Sequence, residues 1–336
     1  MRLVLAVCGY SGAGKTTLIV ALLPRLAARG LRVGVLKHDT HRLTLDAAGK
    51  DTARFFEAGA AAVSAHDPGQ HFVRIREAGP VPLSDVLARM PLDLDLVLVE
   101  GHKSSPGPKL ALEHPEGRPP IDAGEVVATL PAGDGRVEAA EAAVVAWLEA
   151  AWARRPLGVA LFVGGRPFAA GAPGGALVPG APDVAPQLTR LEALSDRFLL
   201  VGGDLRTAER GLSLGLPDLP GVEGPLAGLL GLLRYDPDRA WLCVARGQRD
   251  FGEAQARWLC AERRPGRWAV LPRLRPEAPE PFGAIYEPTL LLGIERAVAA
   301  GTRAVHRVLA EAPVAATEPP PELAPGWRNL EHEERG

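Results

Sequence analysis

The sequence predicts an α/β protein built from two successive sheet-and-helix domains, and three observations predict it. Gly9-Tyr10-Ser11-Gly12-Ala13-Gly14-Lys15-Thr16 keeps the GxxxxGK[ST] spacing and stands between an apolar strand and a helically periodic run. That is the context of a P-loop NTPase with a mostly parallel sheet. Apolar strands then alternate with helical segments, as in a sheet covered on both faces. The alternation starts afresh after Arg154-Arg155-Pro156. At 336 residues the chain suits two ordinary domains better than one, and either half can bury a core.

In the first half, residues 3–7 are an apolar strand, 16–28 a helix ending at Gly30, and 32–37 a second buried strand. Residues 51–58 form a short helix stopped by Gly59, 61–65 and 72–76 read as strands, and 83–90 as a helix. Residues 93–101 are a strong buried strand with Glu100 at its C-terminal end. Short strands at 109–112 and 126–130 precede an Ala-rich helix at 137–153. In the second half, a strand at 158–163 leads into a Gly/Pro/Ala loop at 164–182 and a helix near 184–194. Strands follow at 197–201, 240–245 and 268–271, with helices at 225–234, 251–262, 288–299 and 303–310. Residues 272–281 are Pro-rich and read as a surface loop. The tail from Glu311 is Pro-rich and then charged, which predicts disorder at its end. The expected organisation is a first domain at 1–154, a second at 155–330 and a tail at 331–336. The halves share a class, and the chain shows no internal repeat.

A formal net charge of -2 predicts no nucleic-acid footprint and no attraction to an anionic membrane. The three cysteines, Cys8, Cys243 and Cys260, form no CxxC pair, so neither a zinc site nor a disulfide framework is expected. A reduced, cytoplasmic setting fits. The apolar start has the look of a signal peptide, but it is short and enters the glycine-rich loop, so it reads as a buried first strand. No run of about 18 apolar residues occurs, so no membrane span is expected. Only five of the 38 basic residues are lysines: Lys15, Lys37, Lys50, Lys103 and Lys109. Against an arginine-rich background, a surviving lysine suggests chemistry that a guanidinium cannot replace.

Glycine lets the loop backbone curl and aim N–H groups at phosphate oxygens, and the helix that follows adds its positive end. The expected nucleotide-binding set is Gly9, Ser11, Gly12, Ala13, Gly14, Lys15, Thr16 and Thr17. Lys15 would reach the β- and γ-phosphates, and the Thr16 hydroxyl would ligate Mg²⁺. Glu100 ends a buried strand, where a carboxylate faces the ligand crevice and holds Mg²⁺ or its water, or else caps the next element. Lys15 and Glu100 are the expected catalytic pair. Asp39 ends the second strand and is, with Thr16 and Glu100, a candidate metal ligand by the same argument. His38 and His41 flank Asp39, and two readings stand there: a transition-metal site or polar loop histidines.

The series Cys8–Thr17, Val35-Leu36-Lys37-His38, Gly49-Lys50-Asp51-Thr52, Ala58-Gly59-Ala60 and Leu98-Val99-Glu100-Gly101-His102-Lys103, with Pro108-Lys109, resembles the molybdopterin-guanine dinucleotide biosynthesis protein B (MobB) family. The resemblance spans about residues 1–150. Lys37, Lys50, Lys103 and Lys109 all fall in these segments. It implies GTP binding with weak hydrolysis and assistance in attaching GMP to molybdopterin. It also implies a homodimer, by analogy with related GTPases. A separate guanylyltransferase or a molybdoenzyme would be a partner. Departures are His102, where an aromatic is typical, and Thr129-Leu130-Pro131, where an Asp is expected soon after Thr. No NKxD-type motif occurs, so GTP over ATP is implied by the resemblance alone.

Residues 156–330 resemble the molybdenum cofactor guanylyltransferase (MobA) family through Leu161-Phe162-Val163-Gly164-Gly165-Arg166, Gly224-Pro225-Leu226-Ala227-Gly228-Leu229, Phe282–Pro288 and Trp327-Arg328-Asn329-Leu330. The implied fold is a Rossmann-like, nucleotidyltransferase-type α/β domain. Its loop after the first strand, Arg166–Ala176, has no lysine, and Arg246-Gly247-Gln248-Arg249-Asp250 stands where that family places a metal-binding Asp. The expectation is a degenerate transferase domain. Two other readings are kept: an active bifunctional guanylyltransferase, and a metallochaperone-type GTPase using His38 and His41.

Overall fold

The computed structural model describes residues 3–38, 49–114, 117, 121–163, 185–202, 214–217, 219, 221–222, 224–276 and 278–329. Two compact units are present: Met1–Leu36 with Leu92–Gly336, and Lys37–Pro91. In chain order the N-terminal half has β1 (Val4–Cys8), α1 (Lys15–Ala28), β2 (Val33–Lys37), α2 (Asp51–Glu57), β3 (Ala62–His66), β4 (His71–Ile75), α3 (Leu83–Ala88), β5 (Leu96–Glu100), β6 (Lys109–Leu112), β7 (Val126–Leu130) and α4 (Arg136–Ala153). The C-terminal half has β8 (Leu157–Phe162), α5 (Ala185–Glu192), β9 (Phe198–Val201), β10 (Leu214–Leu216), α6 (Pro225–Tyr235), β11 (Ala240–Ala245), α7 (Glu253–Ala261), β12 (Ala269–Pro272), β13 (Ala284–Tyr286), α8 (Leu291–Ala299), α9 (Val305–Glu311) and β14 (Val314–Thr317).

The larger unit contains two sheets. The first has the order β2-β5-β1-β6-β7, with β1 parallel to both β5 and β6, and β6 parallel to β7. Leu5, Val7, Val97, Leu98, Val99, Leu110, Ala111 and Leu112 have no exposed surface, as expected of parallel strands covered on both faces. Leu18, Ile19, Leu22 and Leu26 of α1 pack into this core with Ala140, Val144, Leu148 and Trp152 of α4. The α4 set recurs every four residues, so it lies on one face of the helix. In the β1–β5 register, Val7 stands opposite Glu100, which places a carboxylate beside the end of β1.

The second sheet has the order β10-β9-β8-β11-β13-β12-β14. β13 runs antiparallel to β11 and β12, and the remaining neighbours are parallel. The strand order reverses between β8 and β11, so their carboxyl ends border a crevice at a topological switch point. Helix α6 is buried from Leu226 to Leu233, apolar on every side. It lies so close to the sheet that a Cβ on Gly228 would fall 2.5 Å from Val201 and 2.6 Å from Phe162.

The second unit contains α2, the antiparallel hairpin β3–β4 and α3. Asp67 shapes its turn by accepting the backbone N–H groups of Gly69 and Gln70. The Arg74 and Arg76 guanidiniums lie 3.7 and 4.1 Å from the centre of the Phe56 ring.

The α/β class and the mostly parallel first sheet hold. β10, β13 and β14 are absent from the sequence reading. β10 and β13 are only three residues long, and β14 is flanked by prolines that read as loop. β14 lies within the Pro-rich tail yet pairs with β12, and Trp327 beyond it is buried edge-on against Phe251 and Trp258. The loop at 164–182 and the end of the tail lie outside the described residues. Among the described residues, no helix is long and apolar enough to cross a membrane.

Candidate functional site

The buried strand β1 delivers the chain to the carboxyl edge of the first sheet, where the glycine-rich loop turns into α1. Gly12 and Gly14 adopt left-handed backbone (φ 77° and 84°), and Gly14 is the N-cap of α1. The Lys15 ammonium folds back over the loop, donating to the Tyr10 carbonyl at 2.7 Å and the Gly9 carbonyl at 3.3 Å. The Thr16 hydroxyl donates to Glu100 Oε1 at 2.8 Å. The fold thus brings together Lys15, Thr16 and Glu100 from positions 84 residues apart. Ser11, Gly12 and Thr17 are exposed on the loop and first turn, and Ala13 is buried beneath it. Asp39 and His41 lie outside the described residues.

Thr16 and Glu100 offer a hydroxyl and one carboxylate, a hard oxygen set that suits Mg²⁺, which takes few protein ligands and completes its shell with phosphates and water. Among the described residues, no group of three His, Cys, Asp or Glu side chains could hold a metal.

Sequence reasoning missed Arg136. Its guanidinium donates to the carbonyls of Ala13 (2.9 Å), Pro131 (2.5 Å) and Glu113 (3.0 Å), tying the glycine-rich loop to the ends of β6 and β7. Its only sequence signal is its place at the start of α4. The chain beyond Glu100 turns through Gly101 (φ 98°) and His102 (φ 58°), the latter the one non-glycine residue with left-handed backbone among those described. Lys103 then stands 5.2 Å from the centre of the Tyr10 ring, which also meets the His114 ring at 5.7 Å between centres. Lys109 is fully buried and donates to the carbonyls of Ser105 and, at 2.8 Å, Gly107. Burial pushes the Cys8 thiol up, against the pull of Lys109, Lys103 and Lys15.

In the second sheet two buried glutamines, Gln187 and Gln248, bond around Ala245 at the carboxyl end of β11. Gln248 accepts the Ala245 N–H at 3.0 Å and donates to the Phe282 carbonyl at 3.1 Å. Gln187 donates to the carbonyls of Ala245 and Gln248. Asp250 is exposed. Arg166 and its loop lie outside the described residues. At the carboxyl ends of β12 and β14 a cleft of about 840 Å³ is lined by Arg273, Arg275 and Arg328 together with Glu280 and Glu318.

A mostly parallel sheet whose first strand ends in this loop, with Lys15 and Thr16 opening the helix and Glu100 on the neighbouring strand, defines a P-loop domain. Residues 4–130 match the model of the family described as MobB, Molybdopterin guanine dinucleotide synthesis protein B, so a MobB domain covers that N-terminal part of the chain. The chain is 41% identical over 118 residues to a molybdopterin-guanine dinucleotide biosynthesis adapter protein of Haemophilus influenzae, a stretch covering 35% of this chain and 66% of that one. It is 38% identical over 111 residues to the Escherichia coli protein of the same description, covering 32% of this chain and 63% of that one. The chain therefore spans a little under two thirds of the length of these relatives. A crystal structure of molybdopterin-guanine biosynthesis protein B aligns with 28% identity and a TM-score of 0.35, covering 44% of this chain and 99% of that one.

Proposed function

We propose that the chain is a GTP-binding adaptor in molybdenum cofactor biosynthesis that assists conversion of molybdopterin to its guanine dinucleotide form, with weak GTPase activity. The observation that carries this reading is the 2.8 Å bond from Thr16 to Glu100 at the mouth of the P-loop. The two relatives described as adapter proteins support the pathway. Bound Mg²⁺ would neutralise charge on the β- and γ-phosphates, held by Thr16 and Glu100. Lys15 would exchange the Gly9 and Tyr10 carbonyls for phosphate oxygens, and the first-turn N–H groups of α1 would complete the cradle. Weak hydrolysis fits a carboxylate engaged with Thr16 and the metal rather than with an attacking water.

In this reading the second half is a nucleotidyltransferase-type domain that has lost most or all transfer activity. The switch point between β8 and β11 supports the fold class. The loss is supported by the absence of lysine from residues 110–336 and by Gln248, bonded into the protein where a metal carboxylate is expected. A separate guanylyltransferase or a molybdoenzyme would then be the partner, and the working form a homodimer.

Calorimetric titration of the full chain with GTP and Mg²⁺ tests the adaptor reading. Binding that is lost in Lys15→Ala is expected, and a wild-type chain that binds no triphosphate refutes it. A transfer assay with labelled GTP and molybdopterin tests the second half. Efficient guanylylation by the full chain alone would favour the bifunctional enzyme instead.

A further inference from the structure

Three of the five lysines converge at the end of β1 from three different segments: Lys15 from the P-loop, Lys103 from the turn after β5, and Lys109 from β6. Lys15 serves the P-loop. Lys109 is committed to holding the segment between Glu100 and β6, through the carbonyls of Ser105 and Gly107. Its ammonium is packed so tightly that a Cβ on Gly124 would lie 2.5 Å from it and 2.3 Å from the Gly107 carbonyl oxygen. A guanidinium is too large for that space, which accounts for a lysine here in an arginine-rich chain. Ser105 closes the preceding turn, its N–H and hydroxyl both donating to the His102 carbonyl at 3.1 and 2.9 Å.

Lys103 is what this held turn presents. It is half-buried, three residues beyond Glu100, and rests on the ring of a P-loop residue, Tyr10. Among the described residues it has no carboxylate partner within ion-pair distance, while the nearby Glu100 bonds Thr16. A cation over a neutral ring keeps its charge available. The end of the strand beside β1 is where the outermost phosphate of a P-loop nucleotide faces the protein.

We propose that Lys103 is a second phosphate-binding cation of the P-loop site, reading the γ-phosphate and so distinguishing a nucleoside triphosphate from a diphosphate. Lys109 is the positioning residue that holds its turn. This rests on the P-loop reading above.

The test measures the affinities of the full chain for GTP and GDP with Mg²⁺, in wild type, Lys103→Gln and Lys103→Arg. Lys103→Gln should weaken GTP by roughly tenfold to a hundredfold, the size of a lost charged hydrogen bond. GDP should stay within about twofold, and Lys103→Arg should fall between wild type and Lys103→Gln. Should Lys103→Gln lose its thermal transition, Lys103→Met, which keeps the aliphatic stem, takes its place. Equal weakening toward both nucleotides, no change toward either, or an arginine variant no better than glutamine overturns the assignment while leaving the P-loop reading intact. A wild-type chain that binds no GTP overturns both.

Discussion

The indole N–H of Trp268 donates to the Asp95 carboxylate at 3.3 Å, joining the second sheet to the first across 173 residues of sequence. Asp95 has no exposed surface and also accepts the Arg32 backbone N–H at 2.8 Å. The Arg32 guanidinium lies 5.8 Å from the centre of the Trp268 ring and bonds Asp93 at 2.9 Å. Asp95 immediately precedes β5, and the far end of that strand carries Glu100 against Thr16. One short strand therefore links the contact between the sheets to the P-loop.

Burial pushes the Asp95 carboxyl above its ordinary range, and the bonds from Arg32 and Trp268 pull the other way. A folded-state pKa above the unfolded one contributes stability that is complete below about pH 4 and is lost as pH rises through the raised value. Unfolding free energy measured in urea should carry this falling component across that window. Asp95→Asn should remove the component, and an unchanged pH slope in the variant would count against the assignment.

Glu287 has no exposure and sits between two arginines, Arg155 at 3.2 Å and Arg263 at 2.7 Å. Burial pulls the Arg155 guanidinium down and Glu287 holds it up. Glu287→Gln leaves two buried cations without their counter-charge and should cost about 3–5 kcal/mol. Chemical denaturation of the variant checks this, and a loss under about 1 kcal/mol would show that water already screens the pair.

Gly228 reverses the usual preference for alanine in helices. Alanine would gain about 1 kcal/mol of propensity. Its methyl would meet Val201 at 2.5 Å and Phe162 at 2.6 Å, an overpacking that costs about 1–3 kcal/mol. Gly228→Ala is expected to lower the melting temperature, whereas a rise would mean that α6 can shift off the sheet.

Thr16→Val and Glu100→Gln should each reduce the Mg²⁺-dependent part of GTP affinity while leaving binding in EDTA nearly unchanged. Since the two side chains bond each other, their effects should not add, and the double variant should lose little beyond the worse single one. Isothermal titration with and without Mg²⁺ measures this, and full additivity would separate the two roles.

The P-loop, the buried strands β1 and β5 and the helices α1 and α4 were legible in the sequence because their signals are local. An apolar run, a glycine spacing and a four-residue period lie within one window of chain. Glu100 was legible for the same reason, as a carboxylate closing an apolar strand. The sequence alone also marked Lys103 and Lys109 as survivors of an arginine-rich background, without saying what either does. Only the tertiary structure decided that Lys109 is enclosed by Gly124 and the Gly107 carbonyl, that Arg136 ties three carbonyls together at the P-loop, and that Trp268 reaches Asp95. It alone shows β10 and β13, whose three residues leave no period to read, and β14, which lies among prolines that read as loop. These features depend on groups far apart in sequence. Their geometry exists only once the sheets have closed and excluded water, and no local pattern records it.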